Sequence, residues 1–95
     1  MLDMSTGHVT ETDYKLLESN SEIPIRIINH DYGWMVSVGY CASLGEILEK
    51  CCEIGDFGLS ESFVEIYYHA ARCQCAWINF DRDSEPHKLF EVFNW

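Results

Sequence analysis

Residues 60–80 change their apolar period once, and that change restricts the fold more than any other feature of the chain. Phe63, Ile66, Tyr67 and Ala70 stand at i, i+3, i+4 and i+7, the stripe that one face of an α-helix buries. Ser60 or Ser62 can cap such a helix, and the pattern predicts that it reaches about Gln74. Directly after it, Cys75-Ala76-Trp77-Ile78-Asn79-Phe80 is rich in β-favouring residues with apolar groups on both faces, which predicts an interior strand. A helix feeding a buried strand within so short a chain requires mixed α and β structure around a shared core.

The same reasoning places the other elements. Thr10 can cap the amide of Asp13 while Asp13 reaches back, a capping box with Asp in place of Glu, which predicts a helix over residues 10–19 with Tyr14 and Leu17 on one face. Residues 23–28 alternate, with Ile23, Ile25 and Ile27 inward and Pro24 at an edge or strand start, because proline cannot donate to a ladder. Asn29-His30-Asp31-Tyr32-Gly33 reads as a turn, and Gly33 can supply the positive φ that closes a hairpin with a bulge. The returning strand covers residues 34–38, with Trp34, Val36 and Val38 on one face.

Ser43-Leu44-Gly45-Glu46 is a second capping box, followed by Ile47, Leu48 and Cys51 at core spacing and by Gly55, placed to end the helix after about three turns. Residues 81–87 form a charged turn. The aromatic end, residues 88–95, predicts a docked strand or extended arm. At 95 residues the chain supports one hydrophobic core and not two, so residues 1–95 are expected to form a single domain. The predicted class is α+β: a two-layer sandwich of a small antiparallel or mixed sheet of three to four strands with about three helices, gathered on one face.

Charge excludes several functions. Sixteen acidic residues against six basic ones give −10, a field that repels nucleic acid and anionic lipid and attracts basic surfaces. Direct nucleic acid binding and membrane binding are not expected. Five cysteines, an odd number, argue for reduced thiols rather than a secreted disulfide framework. With no signal peptide and no apolar run long enough to span a bilayer, the expected location is the bacterial host cytoplasm.

His69, Cys73 and Cys75 read His-x3-Cys-x-Cys, and a helix would turn His69 and Cys73 the same way. Zinc would need a fourth ligand from Cys51 or Cys52, and structural sites ordinarily show two spaced pairs. Cysteine also serves as a small apolar filler, so neither metal nor cofactor is expected. A cysteine nucleophile needs an electropositive setting, which these acidic surroundings do not offer. Asp81, Asp83 and Glu85 imitate the start of a calcium loop, but Pro86 and Val92 stand where that loop needs Gly and Glu. The glycines are dispersed and form no phosphate loop, and no catalytic residue is assigned.

The carboxylates supply the candidate site. Glu46, Glu49 and Glu53 fall at i, i+3 and i+7 on one face of the second helix, Glu61 and Glu65 extend the acidic surface onto the third, and Asp56 joins them from the connector, residues 55–59. Several acidic stripes together can imitate a phosphate track for a protein that grips nucleic acid. A plain solvated face is the competing explanation.

Ser5-Thr6-Gly7-His8-Val9-Thr10-Glu11, the central Asp31-Tyr32-Gly33-Trp34-Met35-Val36, and Cys75-Ala76-Trp77-Ile78-Asn79-Phe80-Asp81 with the closing Phe93-Asn94-Trp95 resemble an uncharacterised family of small proteins carried on bacterial plasmids and prophages. This chain departs from it at Ser84-Glu85-Pro86-His87, where a glycine-rich turn is expected, and in a longer middle. The family has no catalytic residues to carry over. The resemblance implies a mobile-element setting, where small acidic proteins resemble anti-CRISPR or antirestriction inhibitors of host defence.

The expected function is therefore a non-enzymatic inhibitor that binds a basic surface of a host defence complex and blocks nucleic acid access. Two rivals belong to other classes. One is a small metal- or thiol-dependent enzyme on Cys73, Cys75 and His69. The other is an interaction module whose arm, with Phe90, Phe93 and Trp95, docks on a partner or on a second copy as a homodimer.

Overall fold

Among the described residues, four strands build one sheet: β1 (Leu2–Ser5), β2 (Ile27–His30), β3 (Gly33–Ser37) and β4 (Trp77–Asp81), in the order β1-β4-β3-β2. The computed structural model describes residues 2–19, 25–38, 43–86, 90, 92 and 93. Ile23, Pro24 and Trp95 fall outside these residues. Central β4 runs parallel to β1 and antiparallel to β3, and β2 pairs antiparallel with β3. The sheet is thus mixed, and β4 is the interior strand expected from its apolar residues.

Side chains alternate across each strand, so the register sorts them into rows. Met4, Phe80 and Trp34 align in one row, and Leu2, Ile78, Val36 and Ile27 in the next, facing the core. Asp3, Asn79, Met35 and Ile28 line up on the opposite face. The first strand corrects the expected order, which began with a helix: Leu2–Ser5 precedes it and pairs with a strand at the far end of the chain. The second strand also starts later than expected, at Ile27, although Ile25 is buried as predicted.

At the β2–β3 turn, Gly33 has φ +154°, and a Cβ there would lie 1.8 Å from the Phe80 carbonyl oxygen. Only glycine lets β3 approach β4 so closely.

The helices α1 (Glu11–Ser19), α2 (Leu44–Phe57) and α3 (Glu61–Arg72) accompany the sheet, with a short 3-10 helix at Thr6–His8. The helix α3 follows its stripe: Phe63, Ile66, Tyr67, Ala70 and Ala71 are buried, and Ser60 Oγ accepts from the Phe63 N–H at 3.2 Å. Phe63 stacks on Phe80 of β4 with ring centroids 5.8 Å apart, while the Tyr67 hydroxyl donates to the Val38 carbonyl at 3.0 Å. The helix stops at Arg72, short of the expected Gln74, whose φ of +60° is left-handed and ends the helical path.

The helix α2 also differs from expectation. It passes through Gly55 and ends at Gly58, whose φ is +126°. Gly55 instead faces α3, where an added methyl would meet Val64 at 3.8 Å. Ile47, Cys51 and Ile54 form the buried stripe, whereas Leu48, expected in the core, is 49% exposed.

The capping box of α1 is present in both directions. The Asp13 N–H donates to Thr10 Oγ1 at 3.1 Å, and the Thr10 N–H donates to Asp13 Oδ2 at 3.2 Å. Fully buried Asp13 also accepts from the Ser60 N–H at 2.7 Å and from the Ser60 hydroxyl. One carboxylate therefore ties the N-terminus of α1 to that of α3, where both helix dipoles favour negative charge.

The described part of the C-terminal arm docks against the beginning of the chain. The Phe93 N–H donates to the Gly7 carbonyl at 2.8 Å, and Phe90 meets the rings of His8 and His69 edge-on at 6.0 and 5.6 Å. Among the described residues no helix is long and apolar enough to cross a membrane.

Candidate functional site

The helix α2 begins where Ser43 Oγ accepts from the Glu46 N–H at 3.3 Å, and this start sets the phase of everything after it. With Ile47, Cys51 and Ile54 turned to the core, Glu46, Glu49, Glu53 and Asp56 recur at three- and four-residue intervals on the other side, all exposed. Eleven residues of helix carry them over about 15 Å, or about 5 Å between successive charges. Lys50 sits beside the strip and meets Glu53 at 3.1 Å. That contact is between exposed groups, where solvent screening leaves ion pairs weak.

Glu61 and Glu65 lie one turn apart on α3, also exposed. They border a groove toward Leu48 and Cys51 of α2. The α2 carboxylates are not in its walls. The six predicted residues therefore form two acidic tracts, a strip along α2 and a shorter pair beside the α2–α3 contact.

Helical spacing brings His69 and Cys73 together as expected, with Cys73 Sγ 3.8 Å from His69 Nε2. Cys75 does not join them: it is partly buried and packs against the core. Cys51 is buried within the α2 stripe, and Cys52 is exposed. Among the described residues no group of three or more His, Cys, Asp and Glu side chains is placed to hold a metal ion. Around Asp81 the Asp83 N–H donates to Asp81 Oδ1 at 2.8 Å, which uses the carboxylate to shape the turn.

A cleft of about 250 Å³ at the β2–β3 turn was not anticipated; Thr6, Tyr14, His30, Tyr32, Trp34 and Arg82 are among its walls. Arg82 lies over the Tyr32 ring at 5.3 Å from the centroid, and its N–H donates to the Tyr32 carbonyl at 2.8 Å. Beside it, a polar chain crosses the outer face of the sheet. The Tyr32 N–H donates to His30 Nδ1 at 3.2 Å, so Nε2 is the nitrogen that carries the hydrogen toward Asn79 Oδ1 at 2.9 Å. Asn79 Nδ2 then donates to Asp3 Oδ1 at 3.2 Å.

His30 reaches from β2 to β4 across Gly33, which has no side chain in the way. Both ring nitrogens are thereby engaged in holding the sheet surface. The turn residues Asp31, Tyr32 and Gly33 were visible in the sequence. Their meeting with Arg82 and Asn79 depends on strand pairing that no local pattern encodes.

Comparison with curated proteins and with solved structures finds no match. Residues 1–95 match the C-terminal domain of a family of unknown function, DUF5983, and the chain belongs to that family.

Proposed function

We propose that this protein is an acidic, non-enzymatic inhibitor of a host nucleic-acid-binding defence complex, of anti-CRISPR or antirestriction type. It acts in the bacterial cytoplasm on behalf of a plasmid or phage, occupying a basic surface and denying it to nucleic acid. The strip Glu46, Glu49, Glu53 and Asp56 carries this reading. Its spacing of about 5 Å per charge compares with about 3.4 Å per phosphate along one DNA strand. A basic groove that tracks one strand would meet a similar run of negative groups on a rigid helix.

The overall charge of −10 supports the same reading, since it accelerates encounter with a basic partner and disfavours most others. The enzyme rival on Cys73, Cys75 and His69 gains no support, because Cys73 meets His69 while Cys75 packs against the core.

The test is plasmid establishment in hosts that carry an active CRISPR or restriction system, with and without the protein. Expression should raise establishment by at least about tenfold in a susceptible host and leave defence-free hosts unchanged. The triple reversal E46K/E49K/E53K should remove the effect while keeping the fold. No protection in any defended host, or protection that survives the reversal, would contradict the proposal.

A further inference from the structure

Small residues line the contact between α2 and α3: Cys51 is buried there and Gly55 faces Val64. Beside this contact runs a groove of about 300 Å³, walled by Leu48, Cys51, Val64 and Tyr68 and bordered by Glu61 and Glu65. Leu48 is 49% exposed, and Leu44, one turn earlier on the same helix, is 47% exposed. The core does not use them, because Ile47, Cys51 and Ile54 already fill the buried stripe. Leu48 shares the groove with Glu61 and Glu65, and Leu44 extends the exposed apolar row one turn beyond it.

Charge identifies the occupant. Among the described residues neither Glu61 nor Glu65 is ion-paired, the pairs being Lys15 with Glu11 and Lys50 with Glu53. Arg72 is turned onto Tyr68, donating to its hydroxyl at 3.0 Å, with its guanidinium 5.8 Å from the ring centroid. A second copy of this chain would bring −10 against −10 and be repelled. The groove matches an apolar segment flanked by cations. Its features recur at one helical turn, about 6 Å, which is the spacing of anchors on a docked helix.

We propose that the α2–α3 groove docks a basic amphipathic helix of a partner protein. That helix sets apolar anchors against Leu44, Leu48, Val64 and Tyr68, and Lys or Arg residues against Glu61 and Glu65. The proposal rests on the reading above only for the sign of the partner's charge.

The probe is a labelled synthetic helix of leucine and lysine with leucines at i, i+3, i+4 and i+7, compared with a scrambled peptide of the same composition. Binding to the full chain is followed by fluorescence anisotropy, and the contact is mapped by amide chemical shifts. The patterned peptide should bind at least about tenfold more tightly than the scrambled one, with shifts centred on Leu44, Leu48, Val64, Glu65 and Tyr68. The surface variants L44S/L48S and E61K/E65K should each weaken it by about tenfold or more, while E46K/E49K/E53K should change it by less than about threefold. Equal binding of the two peptides, or unchanged binding by L44S/L48S, would overturn the groove. Shifts confined to the α2 strip would do the same and leave the acidic-inhibitor reading standing. Groove binding together with plasmid protection that ignores the strip reversal would sink that reading instead and leave the groove intact.

Discussion

Replacing Asp13 by Ala should destabilise the fold strongly without adding a clash. Its carboxylate is fully buried and accepts from the N–H groups of Thr10 and Ser60 and from the Ser60 hydroxyl. Alanine leaves both N–H donors without an acceptor at helix starts that are only partly open to water. Each buried unsatisfied donor costs about 1–3 kcal/mol, and partial water access argues for the lower half, so the loss should be about 3 kcal/mol. For a chain of 95 residues, with about 4–8 °C of melting temperature per kcal/mol, that corresponds to a fall of about 12–24 °C.

Thermal and urea unfolding followed by circular dichroism would measure the loss, with Thr12→Ala as an exposed neighbour expected to stay within about 0.5 kcal/mol. Ser60→Ala removes the other half of the contact and also the cap on Phe63. The double variant should show a coupling of about 1 kcal/mol or more with Asp13→Ala. An Asp13→Ala protein melting within about 3 °C of the parent would refute the claim that one carboxylate joins the two helices.

Two further substitutions probe other parts of the fold. Gly33→Ala places a methyl carbon where the Phe80 carbonyl oxygen now stands 1.8 Å away, so β3 and β4 must separate; a loss of at least about 3 kcal/mol or an unfolded product is expected in urea melts. Tyr67→Phe keeps the ring but leaves the Val38 carbonyl without its donor at 3.0 Å, which should cost about 1 kcal/mol, read as a shift in the urea midpoint at constant slope.

How far the sequence could be read depended on distance along the chain. Local periodicity found α1, α2 and α3, and the Thr10–Asp13 capping box formed as predicted because both of its bonds span three residues. The hairpin around Asp31 and Tyr32 was equally local. By contrast, Leu2–Ser5 offers only four residues of alternation, and its register with β4 is set by Ile78, Asn79, Phe80 and Asp81 at the other end of the chain. Gly55 looked like a helix stop because glycine usually is one, yet it serves a helix–helix contact with Val64 and leaves the stop to Gly58.

The same limit applied to the site. The acidic strip on α2 was legible from its 3.6-residue period. The exposure of Leu48 was not, since its spacing to Ile47 and Cys51 is that of a core residue, and only the position of α3 decides which of them is covered. Asp13 shows this most plainly: its capping role is written in residues 10–13, and its bond to Ser60, 47 residues away, is not.

The proposed binding of a basic partner by the α2 carboxylates is electrostatic and must therefore weaken with salt. Its most direct test is affinity against ionic strength for the host protein captured by the tagged full chain, identified and then measured in purified form. Screening shortens the reach of exposed charges from about 10 Å at 0.1 M salt to about 3 Å at 1 M. Affinity should fall by at least about tenfold between these salts, and E46K/E49K/E53K should lower it as much at 0.1 M. Affinity that holds across the salt series, with the reversed strip binding as well as the parent, would contradict it.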